Sequence, residues 1–215
     1  MKQGKNLLIF GDSYSTYAGC IPQGYATYYA PMVRESVPVT KMEKSDTWWA
    51  KFIEKTGMNL LLNNSWSGST IGYTGYNNSD CSKTSSFIYR YRKLVEEGFF
   101  KANRVDTLIV FGGTNDSWSG APLGEMKYAD WEEKDLFFVL PAICYLACVL
   151  KRDLPDTKVY FVVNTDIKAE IQNALQEAAE KFGLNAIVLQ AISKECGHPT
   201  KQGMTEICEQ ILANM

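Results

Sequence analysis

The chain has 215 residues, 46% of them hydrophobic and 21% charged, the balance of a globular domain with a sizeable core rather than of a disordered or fibrous chain. Its 22 basic and 24 acidic side chains give a net charge of −2, which speaks against electrostatic binding to nucleic acid or to an anionic membrane surface. There is one histidine, His198, so a multi-histidine metal site is excluded and imidazole chemistry has a single candidate.

Asn6–Phe10 is a short apolar run ending in Gly11-Asp12-Ser13, the pattern of a buried strand that feeds a loop. After a long loop, Asp46 is placed to N-cap a helix carrying Trp48, Trp49, Phe52 and Ile53, with Gly57 as its stop. Met58–Leu62 predicts a second strand, followed by a polar loop over 63–80. Phe87, Ile88, Tyr91, Leu94 and Val95 recur at helical spacing within Ser85–Glu97, and Gly98 ends that helix. Val105–Phe111 predicts a third strand and runs into Gly112-Gly113-Thr114-Asn115-Asp116. A second long loop leads to an apolar helix over Leu136–Leu154, in which Pro141 either kinks the helix or sits in the first turn of a later start. Lys158–Val163 predicts a fourth strand, Ile167–Phe182 an amphipathic helix stopped by Gly183, and Ala186–Leu189 a fifth strand. A loop bearing His198 precedes a last helix over Met204–Leu212. Strand and helix alternate without repeat or linker, so the expectation is one α/β domain over 1–215, a parallel sheet with helices on both faces. In such sheets the working residues sit at the carboxyl ends of strands.

Six cysteines, none in a CxxC pair, fit reduced and partly buried thiols better than a zinc site or a disulfide framework. After Met1-Lys2-Gln3-Gly4-Lys5, the apolar run Leu7–Phe10 is too short for a signal peptide. The longest apolar stretch, Phe137–Leu150, is interrupted by Pro141 and too short for a bilayer. A cytoplasmic protein with no nucleic-acid or membrane partner is expected. Its oligomeric state is not legible at this level.

Four polar stretches fall at strand ends: Gly11-Asp12-Ser13, then Asn63 to Thr70, then Gly113-Thr114-Asn115-Asp116, and finally Glu195-Cys196-Gly197-His198-Pro199 before the last helix. Each alone is ordinary turn chemistry. Together and in that order they resemble the four blocks of the SGNH (GDSL-type) hydrolases, from Gly11 to about Met204. The resemblance implies a three-layer, flavodoxin-like sandwich with a five-stranded parallel sheet in the order 2-1-3-4-5.

The residue chemistry agrees. Acyl transfer needs a nucleophile, a base and donors for an oxyanion. Ser13 can present its hydroxyl just past a buried strand, and His198 is the one imidazole able to act as base. Gly68 offers a backbone N–H with no side chain to block a substrate, and Asn115 a side-chain amide. The resemblance assigns these four positions the same roles. It also puts an aspartate three residues before the histidine, to orient the ring; here that position holds Glu195. Glutamate must fold back to reach Nδ1, so a serine–histidine dyad or a backbone carbonyl orienter stands beside it as an alternative.

Asp12 and Asp116 read as loop-bracing acceptors rather than acids or bases, and with Trp66 and Trp118 they complete the candidate substrate-binding set. Tyr17, Tyr25, Tyr28, Tyr29, Trp48, Trp49 and Trp131 either stack on substrate or pack the core. No Gly-x-Ser-x-Gly elbow, P-loop or dinucleotide fingerprint occurs. The expected function is a serine esterase or acylhydrolase, cleaving an acetyl or short acyl ester of a carbohydrate-like or other polar alcohol, without cofactor or metal. The alternatives are an acyltransferase using the same acyl-enzyme and a non-catalytic ligand-binding protein on the same fold.

Overall fold

Strands β1 (Asn6–Gly11), β2 (Asn59–Ser65), β3 (Thr107–Phe111), β4 (Lys158–Val163) and β5 (Asn185–Val188) pair in parallel, in the order β2-β1-β3-β4-β5. This is the order that the resemblance implies. The computed structural model describes residues 4–34 and 36–215; residues 1–3, part of the segment read above for a targeting signal, lie outside them. The helices are α1 (Trp48–Thr56), α2 (Phe87–Glu96), α3 (Phe99–Ala102), α4 (Thr114–Trp118), α5 (Val139–Asp153), α6 (Ala169–Phe182) and, after a short hairpin of β6 (Lys194–Glu195) and β7 (His198–Pro199), α7 (Lys201–Ala213). None of the described helices is long and apolar enough to cross a membrane.

The two-residue period of the strands sorts their side chains into two layers. Leu8, Phe10, Leu108, Val110, Phe161 and Val163 pack with residues of α2, α5 and α6. Leu7, Ile9, Ile109, Phe111, Val162 and Ile187 face the opposite way, toward α1 and α7. Burial on both faces is why the strands read as near-continuous apolar runs. Chain order reverses between β1 and β3, so the loops after those two strands diverge and leave a crevice at the sheet's carboxyl edge.

Local chemistry explains where the boundaries differ from expectation. Thr47, not Asp46, caps α1: its Oγ1 accepts from the Ala50 N–H at 3.3 Å, while Asp46 closes the preceding 3-10 turn by accepting from the Glu43 N–H at 2.8 Å. Pro141 lies in the first turn of α5, where a missing N–H costs no intrahelical bond. β2 continues three residues past Leu62. Asn63, Asn64 and Ser65 are polar yet buried, because Asn63 Nδ2 donates to the Ser15 carbonyl (2.8 Å) and Ser65 Oγ to Asn63 Oδ1 (2.5 Å). Trp48 and Trp49 belong to the core, with Trp48 Nε1 donating to Ser15 Oγ at 3.1 Å.

Candidate active site

Ser13 opens a 3-10 turn directly after β1. Asp12 caps that turn, its Oδ1 accepting from the Tyr14 N–H at 3.0 Å. The turn is tight enough to require Gly11: a Cβ there would lie 2.5 Å from both Ser15 Cβ and Ser65 Oγ. Ser13 is 3% exposed, and its Oγ stands 3.0 Å from His198 Nε2. That distance is within hydrogen-bond reach for proton transfer.

His198 is carried by the β6–β7 hairpin, whose connection is the two residues Cys196 and Gly197. Both have positive φ, 49° and 77°, the backbone of a type I′ turn. Glycine adopts it freely, whereas a non-glycine residue such as Cys196 does so at a cost. Two buried tyrosines pin the hairpin from below: Tyr14 Oη donates to the Gly197 carbonyl (2.5 Å) and Tyr29 Oη to the Pro199 carbonyl (2.9 Å). The turn brings the Cys196 carbonyl 3.2 Å from His198 Nδ1, so with Nδ1 protonated, Nε2 is free to accept from Ser13.

Glu195 pairs in register with His198, yet its side chain is solvent-exposed and makes no hydrogen bond to the imidazole. The aspartate-like role considered for Glu195 is therefore not what this geometry provides. The turn places a main-chain oxygen at Nδ1, and the longer carboxylate stays outside.

The imidazole is also sandwiched by aromatic rings. Tyr28 stacks on it with centroids 3.7 Å apart and planes 9° from parallel, and Trp118 meets it edge-on at 5.5 Å and 71°. Burial holds the His198 pKa below its ordinary 6.5, the hydrogen bond to the Cys196 carbonyl offsets only part of that, and the Lys194 ammonium adds a smaller push in the same direction as burial. Burial and the ammonium both favour the neutral imidazole.

Across the crevice, Asn115 lies in the first turn of α4 and is 3% exposed. Its Nδ2 donates to the Ser69 carbonyl at 2.9 Å, leaving the second Nδ2 hydrogen for another acceptor. Tyr76 Oη donates to Asn115 Oδ1 at 2.9 Å, which fixes which way round the amide sits. Gly68 is exposed with φ +81°, and a Cβ built there would meet nothing within 4 Å. Glycine is needed here for its backbone conformation rather than for the space it clears.

Asp12 and Asp116 are fully buried, and both serve loops rather than the site's open face. Asp116 accepts from the Ile71 N–H (2.9 and 3.0 Å to its two oxygens) and the Gly72 N–H (3.2 Å); burial lifts its pKa to about 6. Burial likewise lifts Asp12 to about 7. The Tyr14 N–H on Oδ1 offsets that in part, while Oδ2 has no hydrogen-bond partner among the described residues. Contrary to expectation, these two aspartates are not substrate contacts: neither has exposed surface to offer. Trp66 packs at a tilt against Tyr25 (centroids 4.2 Å apart, planes 33° from parallel) and lines a separate hollow with Gln23, Lys83 and Tyr89, whereas Trp118 sits at the imidazole. Among the described residues, no three His, Cys, Asp or Glu side chains gather in a way that could hold a metal ion.

The roles of Tyr76, Lys194 and the Cys196 carbonyl have no motif signature. The Cys-Gly pair between short polar runs is the one local cue, since glycine in the second position suits a type I′ hairpin.

The family model described as GDSL-like lipase/acylhydrolase matches residues 5–215. The chain belongs to that family. This GDSL-like hydrolase is 37% identical to a protein from Bacteroides ovatus described as a GDSL-like lipase, with a TM-score of 0.89 over 99% of this chain and 98% of that one. A second, from Bacteroides uniformis with the same description, is also 37% identical, with a TM-score of 0.90 over 99% and 95% of the two chains. An acetyl xylan esterase from the rumen bacterium Butyrivibrio proteoclasticus shares the fold at 16% identity, with a TM-score of 0.60 over 97% of this GDSL-like hydrolase and 63% of the esterase. No protein of curated function matches significantly. Family membership makes the chain a hydrolase of the ester-cleaving class.

Proposed function

We propose that the protein is a serine esterase that removes an acetyl or short acyl group from a polar, carbohydrate-like alcohol through an acyl-enzyme on Ser13. The observation that carries this reading is the 3.0 Å approach of Ser13 Oγ to His198 Nε2, with Nδ1 engaged by a main-chain oxygen. Ser13 attacks the ester carbonyl as Nε2 takes its proton, which gives a tetrahedral oxyanion. The Ser13 and Gly68 N–H groups and the free Nδ2 hydrogen of Asn115 are the donors for that charge; removal of one such donor typically costs about 10²–10³ in turnover. The imidazolium then gives its proton to the departing alcohol. Water, activated by the same imidazole, releases the acid and regenerates Ser13. Both recession and rim support a small acyl group. The nucleophile is nearly buried, while the half-buried imidazole is flanked by Tyr28 and by the 39%-exposed ring of Trp118, an apolar face on which a sugar ring can stack.

The test pairs a fluorophosphonate probe with hydrolysis of p-nitrophenyl acetate. Wild-type protein is labelled and active, whereas Ser13→Ala is unlabelled and slower by about 10⁴-fold or more. Labelling that survives in Ser13→Ala, or a folded wild type that neither labels nor turns over, overturns the reading.

A further inference from the structure

Arg90 on α2 is a guanidinium with 0% exposure and, among the described residues, no carboxylate in hydrogen-bond contact. All its partners are neutral oxygens. Nε donates to the Ser85 carbonyl at 2.8 Å, and Nη1 to the main-chain oxygen of Asn64 and to its Oδ1 (3.3 Å). Nη2 donates to the Gly11 carbonyl at 3.3 Å and to Ser69 Oγ at 3.1 Å. The rings of Phe87 and Phe10 cover the guanidinium at 4.4 and 5.6 Å. Burial drives its pKa down to about 9, a sign of how poorly the site replaces water around the charge. A buried charge stabilises a fold less well than apolar residues of similar size do, so packing alone does not account for an arginine here.

Its acceptors show what the fork connects. Gly11 ends β1, immediately before Asp12 and Ser13; Asn64 lies near the end of β2; and Ser69 follows Gly68. Ser69 is the junction, because its hydroxyl receives Arg90 Nη2 while its carbonyl receives Asn115 Nδ2. The Gly11 carbonyl is shared in the same way, since the Trp66 N–H also donates to it at 3.1 Å. The three segments that supply Ser13, Gly68 and Asn115 are thus joined through one side chain and one serine. A planar guanidinium reaches acceptors in several fixed directions at once, which an ammonium does not.

We infer that Arg90 is a positioning residue for the oxyanion hole, setting the distance between the strand end that carries Ser13 and the loop that carries Gly68. Preorganised donors act only when held within about half an ångström of the developing charge, so this spacing governs the chemical step more than substrate binding. The inference rests on the serine esterase reading, and its test separates the two.

Arg90→Lys and Arg90→Ala are compared with wild type for kcat and KM on p-nitrophenyl acetate, normalised to probe-labelled sites, and for hydrogen exchange across residues 66–72. The expectation is a fall in kcat of about 10- to 100-fold with KM within about threefold of wild type. Faster exchange in that loop accompanies it, and ethylguanidinium restores part of kcat in Arg90→Ala while leaving wild type unchanged. A purely structural arginine would lower the melting temperature but leave the turnover of labelled sites intact. If neither variant folds, Ser69→Ala removes the single Nη2 acceptor on the loop and is expected to lower kcat with KM held and to speed the same exchange. A folded variant with kcat within about twofold of wild type and unchanged loop exchange overturns the inference. A wild type without turnover or labelling overturns the esterase reading instead, and loop exchange alone then decides whether Arg90 is the clamp.

Discussion

On one side of Ser13, the Asn115 amide proposed as an oxyanion donor is fixed by hydrogen bonds at both ends; on the other, the imidazole is held by ring faces and a single carbonyl. Asn115 is gripped at both ends of its amide, by Tyr76 and Ser69, and its neighbour Asp116 takes two backbone N–H groups of the 70–72 segment. His198 instead rides on a two-residue hairpin at the rim, half-buried, with Tyr28 and Trp118 against its ring. The difference follows from the work proposed for each side. Oxyanion donors lose their value if they must reorient as charge develops, so they repay a rigid buried network. A base must accept and release a proton and exchange leaving alcohol for water, which a ring held by stacking allows.

The sharpest way to break this comparison is at its rigid side. Asn115→Ala removes a donor and the anchor of Ser69 together, and kcat for p-nitrophenyl acetate is expected to drop by about 10²–10³ with little change in KM. A loss smaller than about tenfold would mean that the backbone donors carry the charge by themselves. On the looser side the effect should be smaller. A stacked aromatic pair is worth about 0.5–1.5 kcal/mol, so Tyr28→Ala is expected to cost at most about tenfold in kcat/KM, and Tyr28→Phe almost nothing. If Phe proved as damaging as Ala, the hydroxyl rather than the ring face would be responsible.

The smallest expected effect is at Glu195. Glu195→Gln should leave kcat/KM within about twofold of wild type, because the Glu195 carboxylate makes no hydrogen bond to the ring, whose Nδ1 meets the Cys196 carbonyl instead. The pH profile supplies the sign. Protonation of His198 abolishes the base, and its pKa is held below 6.5, so the acid limb of kcat/KM should have its midpoint below 6.5. Glu195→Gln should not move that limb; a clear downward displacement would show that the carboxylate stabilises the imidazolium after all.

Much of this architecture is legible in the residues, for identifiable reasons. The strands β1, β3 and β4 are apolar nearly throughout because both sheet faces are covered, and that leaves a signature no matter which helices do the covering. The last three residues of β2 lack it: Asn63, Asn64 and Ser65 pair with β1 through the backbone, and their polar side chains are satisfied by the Ser15 carbonyl, by Arg90 and by each other. The five residues of α4 are too few to show a period, although they carry Asn115. Ser13 and His198 are conspicuous as residue types, and the hairpin that unites them with the Cys196 carbonyl is not. Arg90 did leave a trace. It sits at the i+3 position of the buried stripe that includes Phe87, Tyr91 and Leu94, a charge where an apolar residue belongs. Only the fold reveals that Gly11, Asn64 and Ser69 are its partners.

The Cys196 carbonyl has one further consequence. Every side chain at position 196 brings the same main-chain oxygen, so substitutions of Cys196 alone would pass over the atom that orients the imidazole. The sensitive changes are in chain length and backbone: one residue added to or removed from the Cys196-Gly197 turn would swing the ring away from Ser13, and replacement of Gly197 would press a Cβ to within 3.0 Å of the Trp118 ring. The ring's orientation is thus inherited as a loop geometry and not as a residue.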